Sequence, residues 1–299
     1  MAKKDLALTR RSFLTGSGIV GALALSACSS EGAGDDGAAA SGSGIDPSRQ
    51  VTIAMSTTNE PDAGFDPCVA WGCGEHVHEP LIQSTLIHTT EDMGFECDLA
   101  TSYECSDDKL TWTFKLRDDA KFSDDEPVRA SDAAFTLNTI RGSKNAQADL
   151  SMVEDASAPD DTTLVVKLSK PYNALLYTLA VVGIVPEHAY GPDYGQKPIG
   201  SGRYVLTQWD RGQQVILDAN PSYYGEKPQI ERVVVVFMEE DAALAAAKSG
   251  QVDMAYTSAT LADQQVGGYT LESYDTVDSR GVQLPVVPAG AEREDGPNT

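Results

Sequence analysis

Basic residues are scarce in this chain: 22 lysines and arginines stand against 45 aspartates and glutamates, for a formal net charge of −23 over 299 residues. A surface of that sign repels phosphates, which argues against nucleic acid and anionic lipid headgroups as partners and favours neutral or cationic solutes. No apolar run reaches the ~20 residues that a bilayer-spanning helix needs. The phosphate loop, H-E-x-x-H, C-x-x-C and G-x-S-x-G patterns are also missing, and no cofactor is implied. Ser106-Asp107-Asp108-Lys109 fits S-x-x-K without its companion motifs, and Gly16 to Gly21 fits G-x-G-x-x-G with no strand before it. Both are accidental matches. His188, in Pro186-Glu187-His188-Ala189, has no nucleophile near it in sequence and reads as a capping or surface residue. What is there is a globular composition, 41% hydrophobic, long enough for one large domain or two ordinary ones.

The charge is unevenly placed. Lys3, Lys4, Arg10 and Arg11 against Asp5 give the first 28 residues a net +3, so the rest of the chain carries −26. An apolar run from Phe13 to Ala27 follows this basic start and is too short to span a bilayer, as in an export signal. Thr9-Arg10-Arg11-Ser12-Phe13-Leu14 resembles a twin-arginine signal, and Leu25-Ser26-Ala27-Cys28 resembles a bacterial lipobox, whose cysteine takes a lipid. Residues 1–28 are therefore expected to be a lipoprotein signal with Cys28 as the lipidation site. An uncleaved anchor with an incidental cysteine is the plainer alternative. Residues 29–49, mostly Gly, Ala, Ser and Asp, have the composition of a flexible tether.

Beyond the tether, Val51 to Met55 predicts a strand and Pro61 to Gly74 a loop. Leu81 to Ile87, just after Pro80, predicts a short helix. Leu110 to Leu116 alternates apolar and polar, as does Leu164 to Leu168, the pattern of half-buried strands. Ser131 and Asp132 stand where N-capping residues belong, ahead of Ala134, Phe135, Leu137 and Ile140. Asp210-Arg211-Gly212 predicts the turn of a hairpin between Tyr204–Trp209 and Gln213–Asp218. Val233 to Phe237 predicts a central strand, Asp241 opens an alanine-rich helix capped by Gly250, and Gln251 to Tyr256 predicts a further strand. The order of elements predicts an α+β body with a mainly antiparallel subdomain at about residues 90–195.

Seven segments stand in one order: Leu99-Ala-Thr-Ser-Tyr103, Asp107 to Arg117 (DDKLTWTFKLR), Lys121-Phe-Ser-Asp124, Pro127 to Asp132, Pro198 to Tyr204, Asn220-Pro-Ser-Tyr-Tyr224 and Lys248-Ser-Gly-Gln-Val-Asp253. Together they resemble solute-binding family 5, the extracytoplasmic receptors of peptide and nickel ABC importers. Arg203 departs from the pattern, which usually has Pro there. The resemblance covers roughly Val51 to Tyr256. It implies a periplasmic-binding-protein-like fold of type II (cluster C), with lobe I at residues 50–257, the antiparallel subdomain inserted in it, and 258–299 as a crossover and the start of a second lobe that is largely missing. It implies no enzymatic activity, a small peptide or nickel chelate as solute, ABC permease subunits as partners, and a site on the outer face of the cytoplasmic membrane, in a periplasm or at the cell surface.

The resemblance also places the loop after the first strand at the solute cleft, which makes Trp71, Cys68, His76, Asn59 and Glu60 candidate wall residues. An aromatic face offers the most contact area, so Trp71 leads, with simple packing of the loop as its alternative. Cys68-x4-Cys73-x2-His76-x-His78 has the residue types of a soft metal site, but the spacing matches no common zinc pattern, and His76 and His78 would diverge on a helix. They are the residues of a nickel-chelate receptor and of a more remote reading, an exported metal-dependent hydrolase. Cys68 with Cys73 and Cys97 with Cys105 are the sequence-local pairings, and all four thiols staying reduced is the alternative.

Overall fold

The computed structural model describes residues 46–69, 80–144, 146, 148–258, 261, 263–264 and 266–273. The expected export signal with Cys28, the expected tether as far as residue 45, the segment holding Trp71, Cys73, His76 and His78, and most of the final stretch lie outside the described residues.

In chain order the described strands begin with β1 (Gln50–Met55), β2 (Ile87–Thr89), β3 (Phe95–Cys97), β4 (Ala100–Cys105) and β5 (Thr111–Leu116). Helix α1 (Ala130–Gly142) leads to β6 (Val153–Asp160), β7 (Thr163–Leu168) and α2 (Leu175–Leu179). The last elements are β8 (Tyr204–Asp210), β9 (Gln214–Ala219), β10 (Arg232–Phe237), α3 (Glu240–Ser249) and β11 (Met254–Ala255).

The first sheet has the order β11-β1-β10-β9-β8, with β1 parallel to both β10 and β11, and with β9 antiparallel to β10 and β8. Side chains alternate across it, as a pleated strand demands. Val51, Ile53 and Met55 join Val215, Leu217, Val233 and Phe237 in one apolar cluster, while Ala54 and Val236 meet Ala243, Ala246 and Ala247 of α3 on the other face. With both faces covered, β10 is a continuous valine run. Gly250 ends α3 at φ +72, a left-handed cap that glycine takes without steric cost.

The second sheet, β4-β5-β7-β6, is wholly antiparallel, and its strands fall within the expected subdomain range. Phe114, Leu116, Leu164, Val166 and Leu168 carry its buried face, joined by Ala133, Leu137 and Ile140 of α1 in the largest core cluster. The remaining strands, β2 and β3, form a separate hairpin.

Three expectations change. Leu81 to Ile87 is not a helix: Ile87 opens β2, and carbonyls before it accept bonds from other parts of the chain. The Tyr204 amide reaches Leu81 O at 3.0 Å, Gly202 reaches Ile82 O at 2.8 Å, Ile184 reaches Ser84 O at 2.9 Å and Leu99 reaches Thr85 O at 3.1 Å. Helix α1 starts at Ala130, so Ser131 and Asp132 lie in its first turn rather than at its cap. Asp132 reaches back one turn, accepting from the Arg129 amide at 2.8 Å on Oδ2 and from the Glu187 amide at 2.9 Å on Oδ1. The strand expected over Gln251 to Tyr256 shrinks to Met254–Ala255.

Candidate functional site

Strands β1, β10 and β8 run in one direction, so their carboxyl ends share one edge of the first sheet, which is where open α/β sheets bind ligands. At the end of β1, a 3-10 turn over Thr57–Asn59 begins at Ser56, whose Oγ accepts the Thr58 amide at 3.3 Å. Beyond β10, Glu239 precedes α3, and its Oε1 accepts the Thr57 hydroxyl at 2.9 Å. Glu240, in the first turn of α3, accepts the Thr257 hydroxyl at 3.0 Å, the Ser258 hydroxyl at 3.1 Å and the Ser258 amide. Those bonds, led by the Ser258 amide, hold its carboxyl below the usual glutamate range. Tyr256 and Met254, by β11, are both more than half exposed.

Trp209 closes the β8 end of this edge, and its orientation depends on a bulge. Strict alternation from Tyr204 and Leu206 would put Gln208 on the apolar face. The register against β9 shifts between Leu206 and Gln208, so Trp209 stands opposite Val215 instead and joins Leu206 in the apolar cluster. Its ring meets Phe65 edge-on at 5.1 Å between centroids, and the Arg211 guanidinium lies 4.3 Å from its centre. The indole N–H donates to Glu60 Oε1 at 2.7 Å.

The wall residues expected from sequence separate here. Glu60 is half-buried and turned toward protein donors, and Asn59, its neighbour, donates its amide to Ser56 O at 2.9 Å. Cys68 differs from the expectation: at 1% exposure it packs in the large core cluster, and burial followed by the nearby Asp66 carboxylate pushes its thiol up to about 12. Cys97, exposed at the end of β3, and Cys105, half-buried at the end of β4, are both free thiols in this structure. Trp71, His76 and His78 lie outside the described residues. Among the described residues no group of three or more His, Cys, Asp and Glu is placed to hold a metal ion. His88 pairs with Glu96 at 3.3 Å and His188 with Asp124 at 2.7 Å. Sequence reasoning missed Trp209 and Tyr256; the Asp210-Arg211-Gly212 turn was the available signal for the first.

Chemically the edge combines an aromatic wall with three carboxylates, each satisfied in part by protein donors. Such a surface suits contact with a neutral or cationic solute. No helix among the described residues is long and apolar enough to cross a membrane.

Residues 94–284 match the family model for the middle region of bacterial extracellular solute-binding proteins, family 5. This chain belongs to that family. It is 38% identical over 212 residues to a probable D,D-dipeptide-binding periplasmic protein of Escherichia coli K12, covering 64% of this chain and 40% of that protein. A putative ABC transporter peptide-binding protein of Brucella ovis is 37% identical over 173 residues, 53% of this chain and 33% of its own length. Among solved structures, NikZ from Campylobacter jejuni in complex with Ni(L-His) superposes with a TM-score of 0.65 at 26% identity, covering 72% of this chain and 45% of that one. The chain thus spans less than half the length of these relatives, and its α+β architecture is that of the periplasmic binding proteins.

Proposed function

We propose that this chain is the receptor of an ABC importer, capturing dipeptides or short oligopeptides outside the cytoplasmic membrane and delivering them to a permease. The observation that carries the reading is the 38% identity over 212 residues to a probable D,D-dipeptide-binding relative. The edge geometry supports it: Trp209 and Tyr256 supply contact surface, and the carboxylates of Glu239 and Glu240 set a potential that favours ammonium groups over phosphates. The role is capture and release, without catalysis. Nucleic acid is no partner for a chain of charge −23.

In this reading Cys28 carries a lipid and residues 29–49 tether the receptor beside its permease, raising its effective concentration there. A nickel chelate is the second solute reading, favoured by the likeness to a structure holding Ni(L-His), with His76 and His78 as the residues to test. Calorimetry with L-Ala-L-Ala, D-Ala-D-Ala and nickel–histidine separates the two. Heat from a dipeptide and none from nickel is the expected result; the reverse replaces the peptide with the chelate. Stoichiometric zinc in the purified protein would instead favour the metal-dependent hydrolase.

A further inference from the structure

We infer that Glu60 is a positioning residue for the solute wall: it does not touch the solute but holds Trp209 and the β8–β9 turn in place. The inference rests on the proposed use of the carboxyl edge as that wall.

Glu60 follows the 3-10 turn after β1, and its own amide donates back to Thr57 O at 3.3 Å, so its backbone is anchored to β1. Its carboxylate is filled from the far side of the sheet edge. Oε1 accepts the Trp209 indole N–H at 2.7 Å, and both oxygens accept the Gly212 amide, each at 2.9 Å. Those donors lie on either side of Arg211, one at the end of β8 and one in the turn, so one carboxylate clamps both. Gly212 sits at φ +73, a conformation glycine takes freely, and in it the amide is aimed at Glu60. Bonds of an N–H to an ionised oxygen are about twice as strong as neutral ones.

Trp209 needs such a clamp. The bulge that turns it onto the apolar face leaves it at the last positions of a strand on the edge of the sheet, half-buried, with Phe65 and Arg211 as its ring neighbours. An indole held at its nitrogen, its edge and one face presents a fixed surface, and a fixed surface loses little entropy when a solute packs on it. The carboxylate is already occupied by protein donors, so its effect on a solute is exerted through the ring.

The test uses the full 299-residue chain with 15N-labelled indoles, the Trp209 signal being assigned by its loss in Trp209→Phe. Replacing Glu60 with Ala is expected to shift the Trp209 indole resonance and speed its hydrogen exchange; Glu60→Gln, which keeps an acceptor, moves both less. An unchanged indole in both variants overturns the clamp itself. With L-Ala-L-Ala and D-Ala-D-Ala as probes, E60A and W209F are each expected to weaken binding about tenfold, and the double variant no further, because both act through one ring. Additive losses would show Glu60 touching the solute and overturn the assignment, as would full affinity in E60A beside a loss in W209F. Full affinity in W209F, with the E60A indole shifted, would instead sink the reading of this edge as the wall; wild-type protein that takes neither dipeptide would sink the peptide receptor, and the indole comparison would still decide the clamp.

Discussion

The hydroxyl of Tyr190 donates to Oδ2 of Asp66 across 3.0 Å, and Oδ1 of the same carboxylate accepts the Cys68 amide at 2.9 Å. The loop leaving β1 is thereby bound to the segment after α2, and the Phe65 amide adds a bond to Gly195 O at 2.8 Å. Asp66 is only 7% exposed, and burial raises its pKa above the ordinary 3.8, outweighing the hydrogen bonds from Cys68 and Tyr190 that lower it.

That shift has a sign that can be measured. The folded state binds the Asp66 proton more tightly than the unfolded state, so the group favours folding most below about pH 3.8 and loses that contribution as pH rises through its folded pKa. Asp66→Asn does not titrate. The stability difference between wild type and D66N, taken from urea midpoints, should move in favour of D66N as pH rises above about 4. A constant difference would mean that Asp66 is not the buried carboxylate described here.

Thiol reactivity should follow burial. The Cys68 thiol, enclosed and pushed up to about 12, should resist alkylation in native protein and react only on unfolding. Cys97, exposed on β3, should be the first of the described thiols to label. Peptide mapping after alkylation reads both, and it also tests the expected Cys97–Cys105 pairing: a bridge in exported protein would leave both unlabelled until reduction.

Two glycines should differ sharply when changed to alanine. A Cβ on Gly200 would lie 2.0 Å from Ile82 O, and the Gly200 carbonyl also accepts the Ser123 amide, so backbone would have to move. Gly212 has open space around it and only a positive φ. Gly200→Ala should cost about 3 kcal/mol or more, and Gly212→Ala about 1 kcal/mol, in denaturant unfolding. Equal costs would contradict the close approach of residues 200–202 to the Leu81–Ile82 backbone.

The proposed lipid anchor has its own test. Cys28→Ala should release the chain from the membrane fraction of expressing cells while leaving the unfolding midpoint of the extracted protein unchanged. Retention in the membrane fraction would contradict lipidation at Cys28.

Where structure follows from neighbours in sequence, the chain was readable. The hairpin around Asp210-Arg211-Gly212, the valine run of β10, the alternating β5 and β7, and Gly250 at the end of α3 each carry their cause within a few residues. Leu81 to Ile87 fits a helix by its apolar spacing after a proline, and nothing local shows that amides from residues 99, 184, 202 and 204 will claim its carbonyls. Trp209 escaped notice because a bulge breaks the period on which side assignment depends. Glu60 looked like a residue for the solute, since its donors lie about 150 positions away.

By itself the sequence determined the sign of the surface, the family signature and the elements whose periodicity is local. The tertiary structure alone decided which strand ends share an edge, which carbonyls receive which amides, and that Glu60 spends its charge on Trp209 and Gly212. The reason is physical: a backbone or side-chain acceptor is satisfied by whichever donor the folded chain brings within about 3 Å, and that donor has no fixed distance in sequence.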